Sequence, residues 1–183
     1  MYNIVGALFT KESDAREAMA ALTAAPQING TTIYQISLVK RVEGVLKLCD
    51  NFTSSYLKSG DTVKGGLLGG LIGILTGPIG MLLGSVTGAL AGKIEDLDNK
   101  DDSAALIEQA AQKLEEGDIA LIALVDETNE AVLDHALVGY NTIIVRYDAN
   151  VIAKELEEAE KMEAEMARQA REALRSAQKK DNK

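Results

Sequence analysis

The sequence predicts an α+β fold. The expected architecture is a ferredoxin-like sandwich of order β-α-β-β-insert-α-β-α-β, with a glycine-rich helical hairpin as the insert and a long C-terminal helix. Three observations predict it. Short β-prone runs alternate with helical stretches along residues 1–149. Residues 65–92 carry ten of the sixteen glycines and no charge. From Asn150 onward the chain holds eight acids and eight bases, with acids crowding 155–165 and bases 168–183. That order suits a helix macrodipole. The expected units are an α+β domain over 1–60 and 97–149, an inserted hairpin over 61–96 and a charged helix over 150–183.

Each element has its own signal. Tyr2–Phe9 is short, apolar and β-prone, a strand. Ser13–Ala25 is Ala-rich and stops before Pro26, a helix. Ile28-Asn29-Gly30 is a turn signal. Thr32–Val42 and Val45–Asp50 alternate, with Ile33, Gln35, Ser37 and Val39 on one side and Tyr34, Ile36 and Leu38 on the other. Glu43-Gly44 between these two runs predicts a hairpin. Asp101-Asp102-Ser103 offers N-caps for a helix over 104–116 that ends at Gly117. Ile119–Val125 is a continuous apolar run, a buried strand. Thr128–Val138 reads as a helix, Thr142–Tyr147 as a β-branched and aromatic strand, and Asn150 to about Lys180 as one helix outside the sandwich.

Composition excludes several classes of chemistry. One Cys, Cys49, rules out a disulfide framework and a Cys-based zinc site. One His, His135, rules out His-clustered metal sites and argues against a catalytic triad. The net charge of −9 argues against nucleic acid as a partner. Gly88-Ala-Leu-Ala-Gly92-Lys93 lacks the spacing and the Ser/Thr of a phosphate loop. The acids over Glu95–Asp102 lack the glycine and terminal Glu of a calcium loop. Cys49 is expected as a small buried hydrophobe in its strand, and His135 as a surface residue. No cofactor, metal or enzymatic activity is expected.

The glycine segment is the informative feature. Gly65, Gly69, Gly73 and Gly77 are spaced by four, as are Gly80, Gly84, Gly88 and Gly92, and Gly77-Pro78 marks a turn between them. At ~100° per residue each series falls on one helix face. Leu67, Leu68, Leu71, Ile72, Ile74 and Leu75 oppose the first series; Ile79, Leu82, Leu83, Val86 and Leu90 oppose the second. Smooth faces allow close backbone approach. If the glycine faces meet, the leucine faces point outward and need a cover: lipid, other copies of the chain, or the rest of the domain. Each arm has roughly 14 uncharged residues, short of the ~20 that a spanning helix needs. A shallow hairpin is therefore expected, with Lys64 and Lys93 at headgroup level.

The run Gly65-Gly66-Leu67-Leu68-Gly69-Gly70-Leu71-Ile72-Gly73-Ile74-Leu75-Thr76-Gly77-Pro78-Ile79-Gly80, with Arg41-Val42-Glu43-Gly44-Val45-Leu46 upstream and Leu114–Val125 downstream, resembles a bacterial family of uncharacterised predicted membrane proteins. The resemblance covers about 1–150. It implies the fold and membrane association but no activity. The expected function is a non-enzymatic, membrane-associated structural or scaffold protein that self-assembles through its hairpin. Its expected partners are itself and lipid. The expected location is cytoplasmic, at the inner face of the cell membrane, since Tyr2-Asn3-Ile4-Val5 begins a strand rather than a signal peptide. Two alternatives stand beside this: a soluble ring or shell in which hairpins bury each other, and a small-ligand carrier.

Overall fold

The structure is a computed structural model that describes residues 2–57, 62–77 and 114–181. Its order is β1 (Tyr2–Phe9), α1 (Glu12–Ala24), β2 (Gln27–Ile28), β3 (Thr31–Val42), β4 (Val45–Thr53), α2 (Thr62–Thr76), β5 (Ile119–Glu127), α3 (Ala131–Leu137), β6 (Ile143–Asp148) and α4 (Ala149–Asp181). The α+β class is as the sequence predicts. The six strands form one sheet of order β2-β3-β5-β1-β6, with β4 also on β3, and every pairing is antiparallel. The expected helix over 104–116 lies almost wholly outside the described residues.

Helices cover both faces of this sheet. Val5, Ala7 and Phe9 of β1 and Ile119, Leu121, Ala123 and Val125 of β5 pack with Ala15, Ala18, Met19 and Leu22 of α1 and Leu133 and Leu137 of α3. The intervening residues Ile4, Ala120, Ile122 and Leu124 point the other way. They pack with Leu67, Leu68, Leu71, Ile72, Ile74 and Leu75 of α2 and Ala149, Ile152 and Leu156 of α4. Period-two alternation feeds one core on each side of the sheet. β5 lies between both, which is why its sequence is an unbroken apolar run.

Two turns and two irregularities set the register. Asn29 and Gly30 both have positive φ, as do Glu43 and Gly44, the geometry of tight hairpin turns that follow strand twist. The first hairpin gives β2, a two-residue strand that the sequence shows only as a turn. The β3–β5 register shifts between Ile33 and Gln35, so Tyr34 is an extra residue. The alternation read from sequence therefore breaks there, and Ile33 shares a core with Ile36 and Leu38 rather than with Val39. The β3–β4 register shifts between Leu38 and Val39. Cys49 falls in that irregularity and is exposed, which corrects the expectation that it is a buried hydrophobe.

Two larger expectations are also corrected. The leucine face of α2 is part of the folded core, with its six large side chains 2–6% exposed. The C-terminal helix does not start outside the domain, because Ile152 and Leu156 are 2% and 7% exposed. A chain stopped after Asn150 should therefore lose several kcal/mol in urea unfolding, at ~2–5 kcal/mol for each large buried side chain deleted. A chain stopped after Lys161 keeps both residues and should unfold near the full-length midpoint.

Candidate functional site

α2 is where the sequence places function. Its face opposite the leucines carries Gly66, Gly69 and Gly73, all exposed, and a Cβ added at any of them would meet nothing within 4 Å. Gly70 differs. A Cβ there would lie 2.6 Å from Leu156 Cδ2, so the missing side chain lets α4 close on α2. Gly77 follows the helix. An added Cβ would sit 2.7 Å from the Gly73 carbonyl oxygen and 3.8 Å from a carboxylate oxygen of Glu163. Gly65 and Lys64 lie in the first turn of α2. Gly80, Gly84, Gly88, Gly92, Ile79, Leu82, Leu83, Val86, Leu90 and Lys93 lie outside the described residues.

The sorting of side chains around α2 is as periodicity predicts. The surface they meet is not. Leu67, Leu68, Leu71, Ile72, Ile74 and Leu75 face the sheet and α4 of their own chain, not lipid or a partner. The physical reason is supply: β1, β3 and β5 present a second apolar face, which among the described residues α2 and α4 cover. No helix among the described residues is long and apolar enough to cross a membrane. Where α2 meets β3 and β4, a groove of about 260 Å³ opens between Gln35, Asn51, Phe52, Leu68, Gly69 and Ile72.

Three polar clusters complete the surface. At one end of the sheet Glu127, 4% exposed, accepts hydrogen bonds from Asn3 Nδ2 at 3.0 Å and Arg146 Nε at 2.9 Å. Arg146 also donates to Asp134 Oδ1 at 2.6 Å and to the Glu130 carbonyl at 3.0 Å. A charge this buried persists because it is paired and hydrogen-bonded. Where α1 starts over the sheet, Glu12 pairs with Lys40 and Arg16, and these two, Lys40 first, hold its carboxyl below the usual carboxylate range. Arg16 reaches Asp50 at 3.5 Å.

The third cluster ties the segment before β5 to the β3–β4 hairpin. Both oxygens of Glu116 accept turn amides, from Glu43 at 2.6 Å and Gly44 at 3.0 Å. These bonds, the Gly44 one foremost, hold the Glu116 carboxyl below its ordinary value. Arg41 Nη1 donates to the Gly44 carbonyl at 3.0 Å, and the Arg41 amide donates to the Asp118 carbonyl. All three clusters are structural ties. Among the described residues no group of three or more His, Cys, Asp or Glu is placed to hold a metal ion, and His135 is exposed.

Among the described residues the distinctive geometry is a surface. Residues 62–169 match the family described as a protein of unknown function, DUF1269. The chain belongs to the DUF1269 family. The match begins at the first residue of α2 and runs into α4, so in this chain the family segment includes the glycine helix, the inner strand β5, the edge strand β6 and most of the helix that closes on Gly70. That is a later window than the resemblance over about 1–150, and it includes α4. No curated protein and no solved structure matches the chain.

The glycines separate by experiment. Gly69→Ala fills open solvent and should raise stability by ~0.5–1 kcal/mol through helix propensity. Gly70→Ala meets Leu156 and should give no such gain; equal gains in urea unfolding would contradict the α2–α4 contact. Glu116 predicts an acid-side effect. Its depressed folded value means that its contribution is full above the unfolded value of ~4.3 and disappears as pH falls through the folded value. Wild type should therefore lose more stability than Glu116→Gln between about pH 5 and pH 3.

Proposed function

We propose that this DUF1269 chain is a non-enzymatic structural protein, a ferredoxin-like unit that self-associates through the glycine face of its hairpin. The observation that carries this reading is the open stripe Gly66–Gly69–Gly73. Each of these glycines costs α2 ~1 kcal/mol relative to Ala, and none has a packing role inside the described domain. A helix with its own small-residue face fits against such a stripe, because two bare faces bring backbones into dispersion contact. The Gly80-Gly84-Gly88-Gly92 series of neighbouring copies, a glycine at every fourth residue, supplies small residues at helical spacing.

The buried leucine face favours a soluble assembly over a lipid-embedded one. Six side chains that would have anchored α2 in hydrocarbon are committed to the sheet. Particle size, measured by light scattering with and without mild detergent, tests the proposal. Assemblies well above the 19.5 kDa of one chain should form without detergent. Gly69→Leu and Gly73→Leu should shrink them, and Gly69→Ala should not. A wild-type monomer in both conditions, or quantitative flotation with liposomes, would overturn the reading.

A further inference from the structure

The far end of α4 carries a stripe of positive charge that the domain leaves exposed. Beyond Glu163, whose carboxylate lies beside Gly77, every residue from Ala164 to Glu172 is exposed. Arg168, Arg171 and Arg175 are spaced by three and four, so at ~100° per residue they share one helix face. All three are exposed, and Lys179 continues their spacing in the sequence. Among the described residues Arg168 reaches Glu165 and Glu172 of its own helix, at 3.1 and 3.9 Å, and Arg171 and Arg175 form no ion pair. The helix macrodipole does not account for the stripe. It favours cations within the last turn, and Arg168 and Arg171 lie thirteen and ten residues before the end of α4 at Asp181.

The complementary charge is in the chain itself. The segment 78–113 leaves α2 at Gly77, beside Glu163, where α4 becomes exposed. It rejoins the described residues at Leu114, which packs in the same cluster as Leu75 and Leu156. Both ends of the segment are therefore on the side of the sheet that carries α4. Over 95–102 it holds five acids against Lys100; over 168–183 six bases stand against Glu172 and Asp181, an excess of four of each sign. Seventeen residues lie between Gly77 and Glu95. They span ~25 Å even if wholly helical, whereas Arg175, twelve residues past Glu163, lies only ~18 Å along α4. A partner tethered this closely acts at an effective concentration of about 1 mM. The net charge of −9 works against an external polyanion in the same place.

We infer that the basic stripe of α4 is the docking surface for the acidic run 95–102 of the same chain. The pairing goes beyond the self-association reading and uses neither the glycine stripe of α2 nor the Gly80–Gly92 series, so each stands or falls without the other. Exposed ion pairs are weak singly; docking depends on several acting together and on the tether, and it is sensitive to salt.

The test uses the full chain in a Cys49→Ser background, spin-labelled at Asn99→Cys and Ser176→Cys and diluted into unlabelled wild type, so that the distance measured is within one copy. At about 0.1 M salt the expected result is a single short distance. Raising salt to about 1 M cuts the screening length from ~10 Å to ~3 Å and should lengthen and broaden it. Arg168→Glu, Arg171→Glu and Arg175→Glu together should abolish the short population, and adding Glu95→Lys, Asp96→Lys and Asp98→Lys in the same chain should bring it back. The three arginines are exposed, so the urea midpoint of the domain should not move. A distance that is broad at low salt, or that survives the three arginine reversals, would overturn the inference. A short distance that disappears on dilution into unlabelled chain would place the acidic run on a neighbouring copy and overturn it too. So would arginine-dependent binding of wild type to phosphatidylserine-containing vesicles, which would make anionic lipid the occupant. Particle size decides self-association separately, since docking within one copy gives the same distance in a monomer and in an assembly.

Discussion

The burial of one face of α2 against the sheet is the constraint on which the rest of this structure depends. α2 contains five glycines in fifteen residues, at ~1 kcal/mol each relative to Ala, and has little intrinsic reason to be a helix. Its six buried leucines and isoleucines contribute ~1.5–3 kcal/mol apiece once out of water. The helix exists because the sheet is there to receive it. The dependence is mutual. Without α2 and α4, one face of β1, β3 and β5 would expose Ile4, Val39, Ile122 and Leu124, and β5 would have no reason to be apolar on both sides. Gly70 completes the arrangement by letting Leu156 reach α2, which seats the first turns of α4.

Polar ties hold the ends of this layered core in register. Glu127, Asn3 and Arg146 join β5, β1 and β6 at one end, and Arg146 extends the tie to α3 through Asp134. Glu116 and Arg41 join the approach to β5 to the β3–β4 turn at the other. Both sit where strands end and backbone groups lack ladder partners, so hydrogen bonds to charged groups do most there. Neither cluster stands beside a groove with a nucleophile or a metal-binding set among the described residues. The remaining distinctive features are surfaces: bare glycine backbone on α2 and a charge-sorted rod in α4.

Much of the fold was legible in the sequence, and what was missed has a common physical cause. Period-two runs gave the main strands, the Glu43-Gly44 turn gave the hairpin, and the unbroken run from Ile119 gave a strand buried on both sides. The helical period of α2 sorted glycines from leucines correctly. Periodicity states which face is apolar but not what covers it, and that choice depends on the spare apolar face of a sheet assembled from four other segments. The same gap hid the role of Ile152 and Leu156, which read as isolated apolar residues in a charged tail. The extra residue at Tyr34 and the irregularity at Cys49 are tertiary adjustments of register that no local pattern announces. The Glu127–Arg146–Asn3 cluster joins residues up to 143 apart in sequence, and nothing about any one of them signals the others.

Thiol accessibility tests the central claim most directly. In a Cys49→Ser background, Leu71→Cys and Gly69→Cys differ by two residues on the same turn and by opposite faces of α2. Reaction with a water-soluble maleimide, in buffer without detergent or lipid, reads which face is covered. The account predicts that the thiol at position 71 is protected at every protein concentration and reacts only as fast as the domain opens, while the thiol at position 69 reacts at the rate of an open thiol when the chain is dilute enough to be a single copy. A freely reacting thiol at position 71, protected only when lipid vesicles are added, would contradict it.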